Sequence, residues 1–404
     1  MLHFLCISPV RFTSLVAFVF VLFLPSTTAM PDAFWHPPKP FEKVRKTIEA
    51  AIKDSAFPSA VVAVMQNGRV LFHEAFGRLT YDTLSARTDT STIYDLASVT
   101  KVLATTLCLM RLYDEGKIRL TDSVKTFIPE FGNRGKEKIL VRNLLIHDSG
   151  LIPFRRYSQF CPSADSALRH IYNDTLIKPV GDSTIYSDLN FILLGEIIRR
   201  ITGKPLNEYF EETFAKPLGL PHTFFAPPDS LRYRIAPTEV DCTWKLPFAR
   251  PLVHDPTAAL FGGVAGHAGL FSTASDILSL MQVVMNGGSF GGRTFFKKET
   301  VALFTQRDSV HRVRALGWDV RDGGEKASTG KYFSMQSYGH LGYTGTSIWV
   351  DPTRQLCVVF LTNRVYPTSA NNKIRAVRRL LHDAVIESLD ELAPRPRGKS
   401  KQKL

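Results

Sequence analysis

Residues 94–107 read YDLASVTKVLATTL and place a serine and a lysine, Ser98 and Lys101, three positions apart in an otherwise apolar run. On a helix, side chains at positions i and i+3 lie on the same face, so these two polar groups can meet. The apolar residues point around most of the circumference, which predicts a helix buried on nearly every side and ending at Gly116. Ser98 is expected in its first turn, where free backbone amides favour a developing oxyanion.

Burial of this helix bears on what Lys101 can do. An ordinary lysine has a pKa of about 10.4, and lowering that value by about three units costs roughly 4 kcal/mol. Desolvation on a buried helix face favours the neutral amine, which predicts that Lys101 serves Ser98 as a base. The alternative is a helix-capping Ser98 beside an exposed, charged Lys101, because S-x-x-K alone is a short motif that also occurs by chance.

Two β-rich stretches near opposite ends of the chain indicate the fold class. Residues 59–77 carry Asn67-Gly68 between apolar runs, and residues 347–363 carry Asp351-Pro352, so each stretch predicts a β-hairpin. The sequence between them has mostly helical spacing, and an amphipathic helix follows the second hairpin. This order predicts an α+β fold in which both chain ends build one antiparallel sheet flanked by helices.

The expected domain is discontinuous in sequence. An α/β lobe over about residues 30–105 and 255–392 is predicted to hold the sheet, and an inserted all-helical lobe covers about residues 106–254. A site is then expected in the crevice between the two lobes, where pockets commonly occur.

The first 29 residues have the order of an export signal, with an early Arg11, an apolar run over residues 15–24, and small or polar residues up to Ala29. The run is shorter than the roughly 20 residues that span a bilayer. We predict a cleaved signal peptide over residues 1–29, with an uncleaved anchor as the alternative. The mature protein is expected to be soluble, in the periplasm or the extracellular space.

The formal net charge is +13, and five of the positive charges lie in the last stretch, residues 393–404. That stretch predicts a solvated, disordered basic tail. The remaining basic residues are scattered and lack the interleaved aromatic residues of a nucleic-acid surface, so no nucleic-acid partner is expected.

The cysteines show no paired close spacing, so a zinc site is not expected. Cys108 and Cys357 lie in apolar runs and are predicted to be buried free thiols. Cys161 and Cys242 lie in loop-like sequence and could pair in an oxidising compartment, although the sequence leaves this open.

Two further motifs follow the S-x-x-K pair along the chain. Tyr186-Ser187-Asp188 precedes an apolar helix, and His340-Leu341-Gly342 opens a predicted strand, with Tyr343 next. At these residues the chain resembles the serine hydrolases related to class C β-lactamases and low-molecular-weight penicillin-binding proteins. That family carries S-x-x-K, then Y-x-N, then K-T-G or H-x-G. The resemblance covers roughly residues 45–385 and implies a β-lactamase/transpeptidase-like fold with two lobes.

The resemblance implies a role for each motif residue. Ser98 is the nucleophile that forms an acyl-enzyme, and Lys101 takes or relays its proton. Tyr186 acts with the lysine, carrying the proton to the leaving group and later activating water. The backbone amides of Ser98 and Tyr343 form the oxyanion hole, in which each donor contributes roughly 3 to 4 kcal/mol.

The third motif differs from the family pattern in its chemistry. The resemblance places His340 at the position of the triplet's cation, and Gly342 is expected to let the strand edge approach the substrate closely. His340 and Leu341 together lack the lysine and the hydroxyl that grip a β-lactam carboxylate. Asp188 stands where the lactamases have asparagine, and its carboxylate favours a substrate amine or amide N–H, although Asp188 could instead be a helix N-cap. Efficient β-lactamase activity is therefore not expected.

Residues 253–273, VHDPTAALFGGVAGHAGLFST, form a glycine-rich stretch that is predicted to lie near the site. Its His254 and Asp255 are expected to line a substrate pocket. A metal site formed with His267 is the weaker interpretation, because the spacing matches no helical ligand pair. The stretch also resembles exported family members that trim muropeptides, including amidases. His147 is predicted to pack in the core.

The sequence therefore predicts an exported serine hydrolase that forms an acyl-Ser98 intermediate and cleaves an amide or ester, with a cell-wall-derived peptide or muropeptide as substrate. The alternatives are a small-ester carboxylesterase or weak β-lactamase using the same residues, or a catalytically silent binding or sensor protein. No metal, organic cofactor or stable membrane partner is implied, and the oligomeric state stays open.

Overall fold

The computed structural model describes residues 41–240, 253–324 and 326–392. The predicted signal peptide, Cys242 and the predicted basic tail lie outside these residues. Within them, no helix combines the length and the apolar character needed to cross a membrane.

The main sheet has six strands, and each neighbouring pair is antiparallel. Its strand order is β2-β1-β11-β10-β9-β8, so strands from both chain ends meet at the β1–β11 pair, as predicted. In a second sheet, with the order β3-β5-β4, β3 directly precedes the Ser98 segment in sequence, and β5 belongs to the glycine-rich stretch. The strands are Ser59–Gln66 (β1), Arg69–Gly77 (β2), Tyr94–Asp95 (β3), Phe224–Phe225 (β4), Leu270–Ser272 (β5), Ser289–Phe290 (β6), Arg293–Thr294 (β7), Asp319–Val320 (β8), Tyr338–Leu341 (β9), Ser347–Asp351 (β10) and Leu356–Thr362 (β11).

Both predicted hairpins are present. Asn67 and Gly68 join β1 to β2 and both have positive φ angles, 50° and 72°, which an Asn-Gly turn tolerates well. In the turn between β10 and β11, the Asp351 carboxylate accepts hydrogen bonds from the amide and the hydroxyl of Thr353. These turns set the register of the central strands.

The central strand β1 is buried on both faces of the sheet. Val61, Ala63 and Met65 point into one apolar core, and the alternating Val62 and Val64 point into another. The first core contains most of the mid-chain helices, and the second contains residues of α1 and α12. The helices are Glu42–Lys53 (α1), Leu107–Asp114 (α2), Val124–Phe127 (α3), Val141–Leu145 (α4), Ala164–Asn173 (α5), Asp188–Thr202 (α6), Leu206–Phe210 (α7), Lys216–Leu218 (α8), Pro256–Leu260 (α9), Ala274–Met285 (α10), Lys298–Thr305 (α11) and Ile374–Leu392 (α12).

The helix predicted to begin at Ser98 is built from three kinds of turn. Residues Ala97–Val99 form a 3₁₀ turn, Lys101–Thr106 are π-helical, and α2 continues to the positive-φ Gly116. All six π-helical residues are buried, which confirms the predicted burial. A π-helical segment is rare and often marks a functional site.

Cys108 and Cys357 are buried free thiols, as predicted, and burial raises the pKa of each. The pairing suggested for Cys161 involves Cys242, which lies outside the described residues, and it stays a prediction. The division of the domain into two lobes also stays a prediction.

Candidate active site

The side chains of Ser98 and Lys101 meet in the structure. Lys101 Nζ lies 2.9 Å from Ser98 Oγ, and the lysine side chain is fully buried, which excludes the interpretation of Lys101 as a surface charge. The residue before the nucleophile, Ala97, has a φ of 46° in the left-handed region, which is costly for a residue with a Cβ. The Asp95 carboxylate stabilises this turn by accepting a hydrogen bond from the Ala97 N–H, with a distance of 2.8 Å between N and Oδ1.

The contacts of Lys101 favour the ammonium ion over the neutral amine that its burial predicted. Nζ is within hydrogen-bond distance of three oxygens, namely Ser98 Oγ, Asp188 Oδ1 at 2.7 Å and the His267 carbonyl at 3.0 Å. Burial lowers the pKa of Lys101, but the carboxylate of Asp188, with Tyr186, outweighs it, and the net shift of the pKa is upward. The sequence-based argument weighed desolvation alone and omitted this ion pair.

Asp188 is the first residue of α6, and the N-cap position belongs to Ser187. The helix-cap alternative for Asp188 is therefore wrong. Its carboxylate instead pairs with Lys101, and 25% of the Asp188 side chain is exposed. One end of this carboxylate is thus committed to the lysine, while the side chain also lines the cavity that contains Ser98.

Tyr186 completes the polar group around the nucleophile. Lys101 Nζ lies 5.0 Å from the centre of the Tyr186 ring, and the tyrosine hydroxyl interacts with both Lys101 and Ser98. Burial raises the pKa of Tyr186, although the lysine opposes that shift, so the resting phenol is protonated. His147 stacks against the ring with centroids 4.7 Å apart and accepts the Ser187 amide at Nδ1. The predicted core residue His147 therefore also holds Tyr186 in place.

The oxyanion-hole amides proposed from the motifs are free to bind a substrate oxygen. Among the described residues, neither the Ser98 nor the Tyr343 amide donates a hydrogen bond. The close approach of Gly342 to a substrate stays a prediction, but a second reason for a glycine here is that the protein fills the space where a Cβ would lie. A Cβ there would lie 2.0 Å from Thr346 Oγ1 and 2.5 Å from the Leu96 carbonyl oxygen. The glycine therefore lets the end of β9 pack against the chain directly before Ser98.

His340 is not a cation in this structure. The residue is 2% exposed, and burial, which disfavours the charged form, lowers the pKa of His340 to about 4. The positive charge near the site comes instead from Arg314, which sequence reasoning missed. The Arg314 guanidinium lies 5.1 Å from the centre of the Tyr186 ring and pairs with Asp319.

Ser98 lies where two cavities adjoin. One, of about 540 Å³, has charged lining residues of both signs, and the other, of about 550 Å³, has a strongly basic wall. The charged residues of the first cavity are Arg155, Arg156, Asp188, Glu239 and Asp255. Ser98, Tyr186 and Tyr343 line both. The basic residues of the second cavity are Arg314, Lys326, Arg364, Arg375, Arg378 and Arg379.

His254 and Asp255 line the first of these cavities, and their role in binding a substrate stays a prediction. His254 Nε2 lies 2.9 Å from a Glu239 carboxylate oxygen, and its ring stacks on Tyr343 with centroids 5.6 Å apart. Asp255 accepts a hydrogen bond from the Ala258 amide and contacts His267 Nε2 at 2.9 Å. Although burial opposes it, His267 lowers the pKa of Asp255 to about 2. No group of at least three metal-binding side chains occurs in the part of the chain that the structure describes.

Several residues near Ser98 carried no motif signal. Glu239 and Arg364 are far from every motif in sequence, and Arg378 lies on α12 between the exposed Arg375 and the half-buried Arg379. The arginine-rich face of that helix was visible in the sequence, but nothing there indicated which arginine turns inward.

Comparison with known proteins places this geometry in a family. The Beta-lactamase family profile matches residues 44–382. A relative from Salmonella agona (strain SL483), described as a proposed D-alanyl-D-alanine carboxypeptidase, is 36% identical over 381 residues, covering 86% of this chain and 88% of the relative. A Salmonella typhi relative with the same description has the same identity and coverage.

Solved structures share the fold. A penicillin-binding protein homologue from Caulobacter crescentus is 23% identical, covers 87% of this chain and 98% of its own, and gives a TM-score of 0.69. EstCE1, described as a hydrolase with promiscuous acyltransferase activity, is also 23% identical, with coverages of 86% and 98% and a TM-score of 0.69. The likeness to these two structures establishes the β-lactamase/transpeptidase-like fold. Together with the family match over residues 44–382, it shows that the chain belongs to the β-lactamase family and is a serine hydrolase.

Proposed function

We propose that the protein is an exported hydrolase that acylates Ser98 and cleaves an amide or ester bond in a cell-wall-derived peptide or muropeptide. The observation that carries this proposal is the contact of Ser98 Oγ with Lys101 Nζ at 2.9 Å. Lys101 is fully buried and also pairs with Asp188. A nucleophile within hydrogen-bond reach of a proton acceptor, which is itself held by a third group, is the arrangement that nucleophilic catalysis requires.

Because Lys101 is charged at rest, it must release a proton before it can accept one. Asp188 Oδ1 lies 2.7 Å from Nζ, close enough to take a lysine proton as the Ser98 hydroxyl proton moves to the lysine. Ser98 Oγ then forms a bond to the substrate carbonyl carbon, and the carbonyl oxygen becomes an oxyanion held by the Ser98 and Tyr343 amides.

Tyr186 supplies the proton that the leaving group needs. Its protonated hydroxyl interacts with Ser98 and Lys101, so it can protonate the leaving nitrogen or oxygen and recover a proton from Lys101. The lysine in turn recovers its proton from Asp188, and the three groups return to their resting states. Water then cleaves the acyl-enzyme by the reverse sequence of transfers.

The two cavities beside Ser98 favour an extended substrate over a small ester. Together they allow groups on both sides of the scissile bond to be held, one in a cavity with charged groups of both signs and the other beside Arg375 and Arg379. A peptide with a free carboxylate on one side and polar backbone groups on the other matches this charge distribution. The description of the Salmonella relatives as proposed D-alanyl-D-alanine carboxypeptidases supports the same substrate class.

Labelling with active-site probes tests the nucleophile. We expect a fluorescent fluorophosphonate to label the purified wild type and the Ser289→Ala variant, whose serine is exposed and far from every motif. Labelling should disappear in Ser98→Ala while the thermal unfolding midpoint stays unchanged. Label that survives in Ser98→Ala would place the nucleophile elsewhere, and an unlabelled wild type would contradict the proposal.

Product analysis tests the substrate class. Purified disaccharide-pentapeptide muropeptides are incubated with the wild type and with Ser98→Ala, and the products are identified by mass spectrometry. Release of the peptide from the sugar indicates an amidase, and release of the terminal D-alanine indicates a carboxypeptidase. Unchanged muropeptides beside rapid hydrolysis of p-nitrophenyl acetate would replace the peptide substrate with a small ester.

A further inference from the structure

Arg378 is a buried arginine in the first half of α12, and no carboxylate in the described ranges forms an ion pair with it. Arg378 is only 6% exposed, and its Nε has no hydrogen-bond partner among the described residues. A buried charge without a counter-charge destabilises a protein unless its hydrogen bonds compensate for the lost hydration. Retaining a guanidinium at this position therefore requires an explanation in the groups that it contacts.

The guanidinium is directed at the end of β9. Arg378 Nη2 donates to the Gly342 carbonyl oxygen at 2.9 Å and to the Thr346 carbonyl oxygen at 2.8 Å. The Gly342 carbonyl belongs to the same peptide group as the Tyr343 N–H. The positive charge thus lies at the acceptor end of the peptide whose donor end is the free amide of the oxyanion hole.

We propose that Arg378 is a positioning residue that strengthens the oxyanion hole by polarising the Gly342–Tyr343 peptide group and fixing its orientation. A charged donor on a carbonyl oxygen makes the N–H of the same peptide a stronger donor, because hydrogen bonds in a chain polarise one another. This inference rests on the proposed function, since it requires that an oxyanion forms beside Ser98.

A second arginine supports the next peptide. Arg364 Nε donates to the Tyr343 carbonyl oxygen at 2.7 Å, and its guanidinium lies 4.4 Å from the centre of the Tyr343 ring. Tyr343 is therefore held on both sides of its α-carbon by arginine hydrogen bonds to backbone oxygens. Burial, with repulsion from Arg364 and Arg375, lowers the pKa of Arg378 to about 9, so its guanidinium keeps its charge at neutral pH.

The effect is expected in the rate constant and not in substrate affinity, because the oxyanion exists only after attack by Ser98. Both acylation and deacylation pass through an oxyanion, so either rate-limiting step should respond. Removing a whole oxyanion-hole donor lowers kcat by about 10²- to 10³-fold. Weakening one donor through its peptide group should therefore lower kcat by about tenfold.

The test uses hydrolysis of p-nitrophenyl acetate by the wild type, Ser98→Ala, Arg378→Met, Arg378→Gln and Lys326→Met. In Arg378→Met we expect kcat to fall about tenfold with KM changed by less than about twofold. The affinity for phenylboronic acid, which forms a tetrahedral adduct with a serine, should weaken by the same factor. Arg378→Gln, which keeps a hydrogen-bond donor without the charge, should recover little of the loss. Lys326→Met removes an exposed charge that lines the same cavity and should leave the boronate affinity within about twofold of the wild type.

Each other outcome contradicts the inference. Wild-type kcat and boronate affinity in Arg378→Met, or full recovery of both in Arg378→Gln, would show that the charge of the arginine has no effect on the oxyanion hole. An equal loss in Lys326→Met would assign the effect to the charge of the cavity. If Arg378→Met does not fold, Arg378→Gln by itself carries the expected loss. Hydrolysis that is the same in the wild type and Ser98→Ala would contradict the proposed function itself.

Discussion

Replacing Asp188 by asparagine removes the counter-charge of a fully buried lysine while keeping the size of the side chain. Lys101 Nζ lies 2.7 Å from the Asp188 carboxylate, and the pKa of Lys101 is raised in spite of its burial. In the variant the burial is no longer opposed, and buried lysines without a partner have pKa values as low as about 5 to 6. We therefore expect Lys101 to fold as the neutral amine in Asp188→Asn.

The expected loss of stability in Asp188→Asn is the free energy needed to remove the Lys101 proton when the variant folds. Releasing a proton from a lysine with an unfolded pKa of about 10.4 costs about 4 kcal/mol at pH 7.4 and about 1.4 kcal/mol at pH 9.4. In the wild type Lys101 is protonated in both the folded and the unfolded chain over this range, so it adds no pH dependence. In the variant the unfolded chain binds one more proton than the folded chain, and its free energy of unfolding therefore rises with pH.

Urea unfolding followed by tryptophan fluorescence measures this difference. Between pH 7.4 and 9.4 the destabilisation of Asp188→Asn relative to the wild type should shrink by about 1.4 kcal/mol per pH unit. The control is the double variant Lys101→Met/Asp188→Asn, whose stability relative to the wild type should not depend on pH in this range. A destabilisation by Asp188→Asn that is the same at both pH values would show that Lys101 stays charged, and would refute the reasoning.

Three further predictions concern single residues of the site. Tyr186→Phe keeps the ring beside His147 but loses the hydroxyl. We therefore expect kcat for p-nitrophenyl acetate to fall by about 10²- to 10⁴-fold, with an unchanged thermal unfolding midpoint. A near-normal kcat would exclude the proton-shuttle role. Because the pKa of His340 is about 4 in the folded chain, this histidine takes up its proton first in the unfolded chain, and its contribution to the free energy of unfolding should fall by about 3 kcal/mol between pH 6.5 and pH 4. In urea unfolding His340→Gln should lose that much less stability than the wild type over this range, and parallel curves would contradict the burial argument. Gly342→Ala places a Cβ 2.0 Å from Thr346 Oγ1. It should lower the free energy of unfolding by about 1 to 3 kcal/mol and slow fluorophosphonate labelling of Ser98. A wild-type free energy of unfolding and a wild-type labelling rate would mean that the end of the strand moves freely.

The elements that the sequence predicted are those whose signals are local. The Asn67-Gly68 turn, the glycine stop at Gly116 and the buried helix after Ser98 each depend on residues within a few positions, and the structure confirms them. The meeting of Ser98 and Lys101 is equally local, because a single helical turn brings them together.

The charge states of the site were not predictable in the same way. The partner of Lys101 is 87 residues away in sequence, and the burial of His340 depends on packing around β9. Arg378 had no signal at all, because its partners are backbone carbonyl oxygens, and any residue supplies those. A motif fixes which residues meet, whereas the pKa of each depends on the whole set of neighbours.

The two departures from the family motifs change the charge beside Ser98 in the same direction. A lysine in the third motif and an asparagine in the second would leave two positive charges beside the nucleophile. In this chain Asp188 neutralises Lys101, and His340 is an uncharged imidazole. Arg314, the next nearest cation, is itself paired with Asp319.

Attraction for a substrate carboxylate therefore shifts outward, to the side chains of Arg375 and Arg379 in the basic cavity. A β-lactam holds its carboxylate close to the reactive carbonyl, whereas an extended peptide can place an acidic group farther from the bond that is cleaved. Since the gain from a charge pair falls with distance, a compact lactam should bind this site less well than a longer acyl donor. Slow labelling of Ser98 by a fluorescent penicillin, beside rapid labelling by the fluorophosphonate, is the result that this distribution of charge predicts.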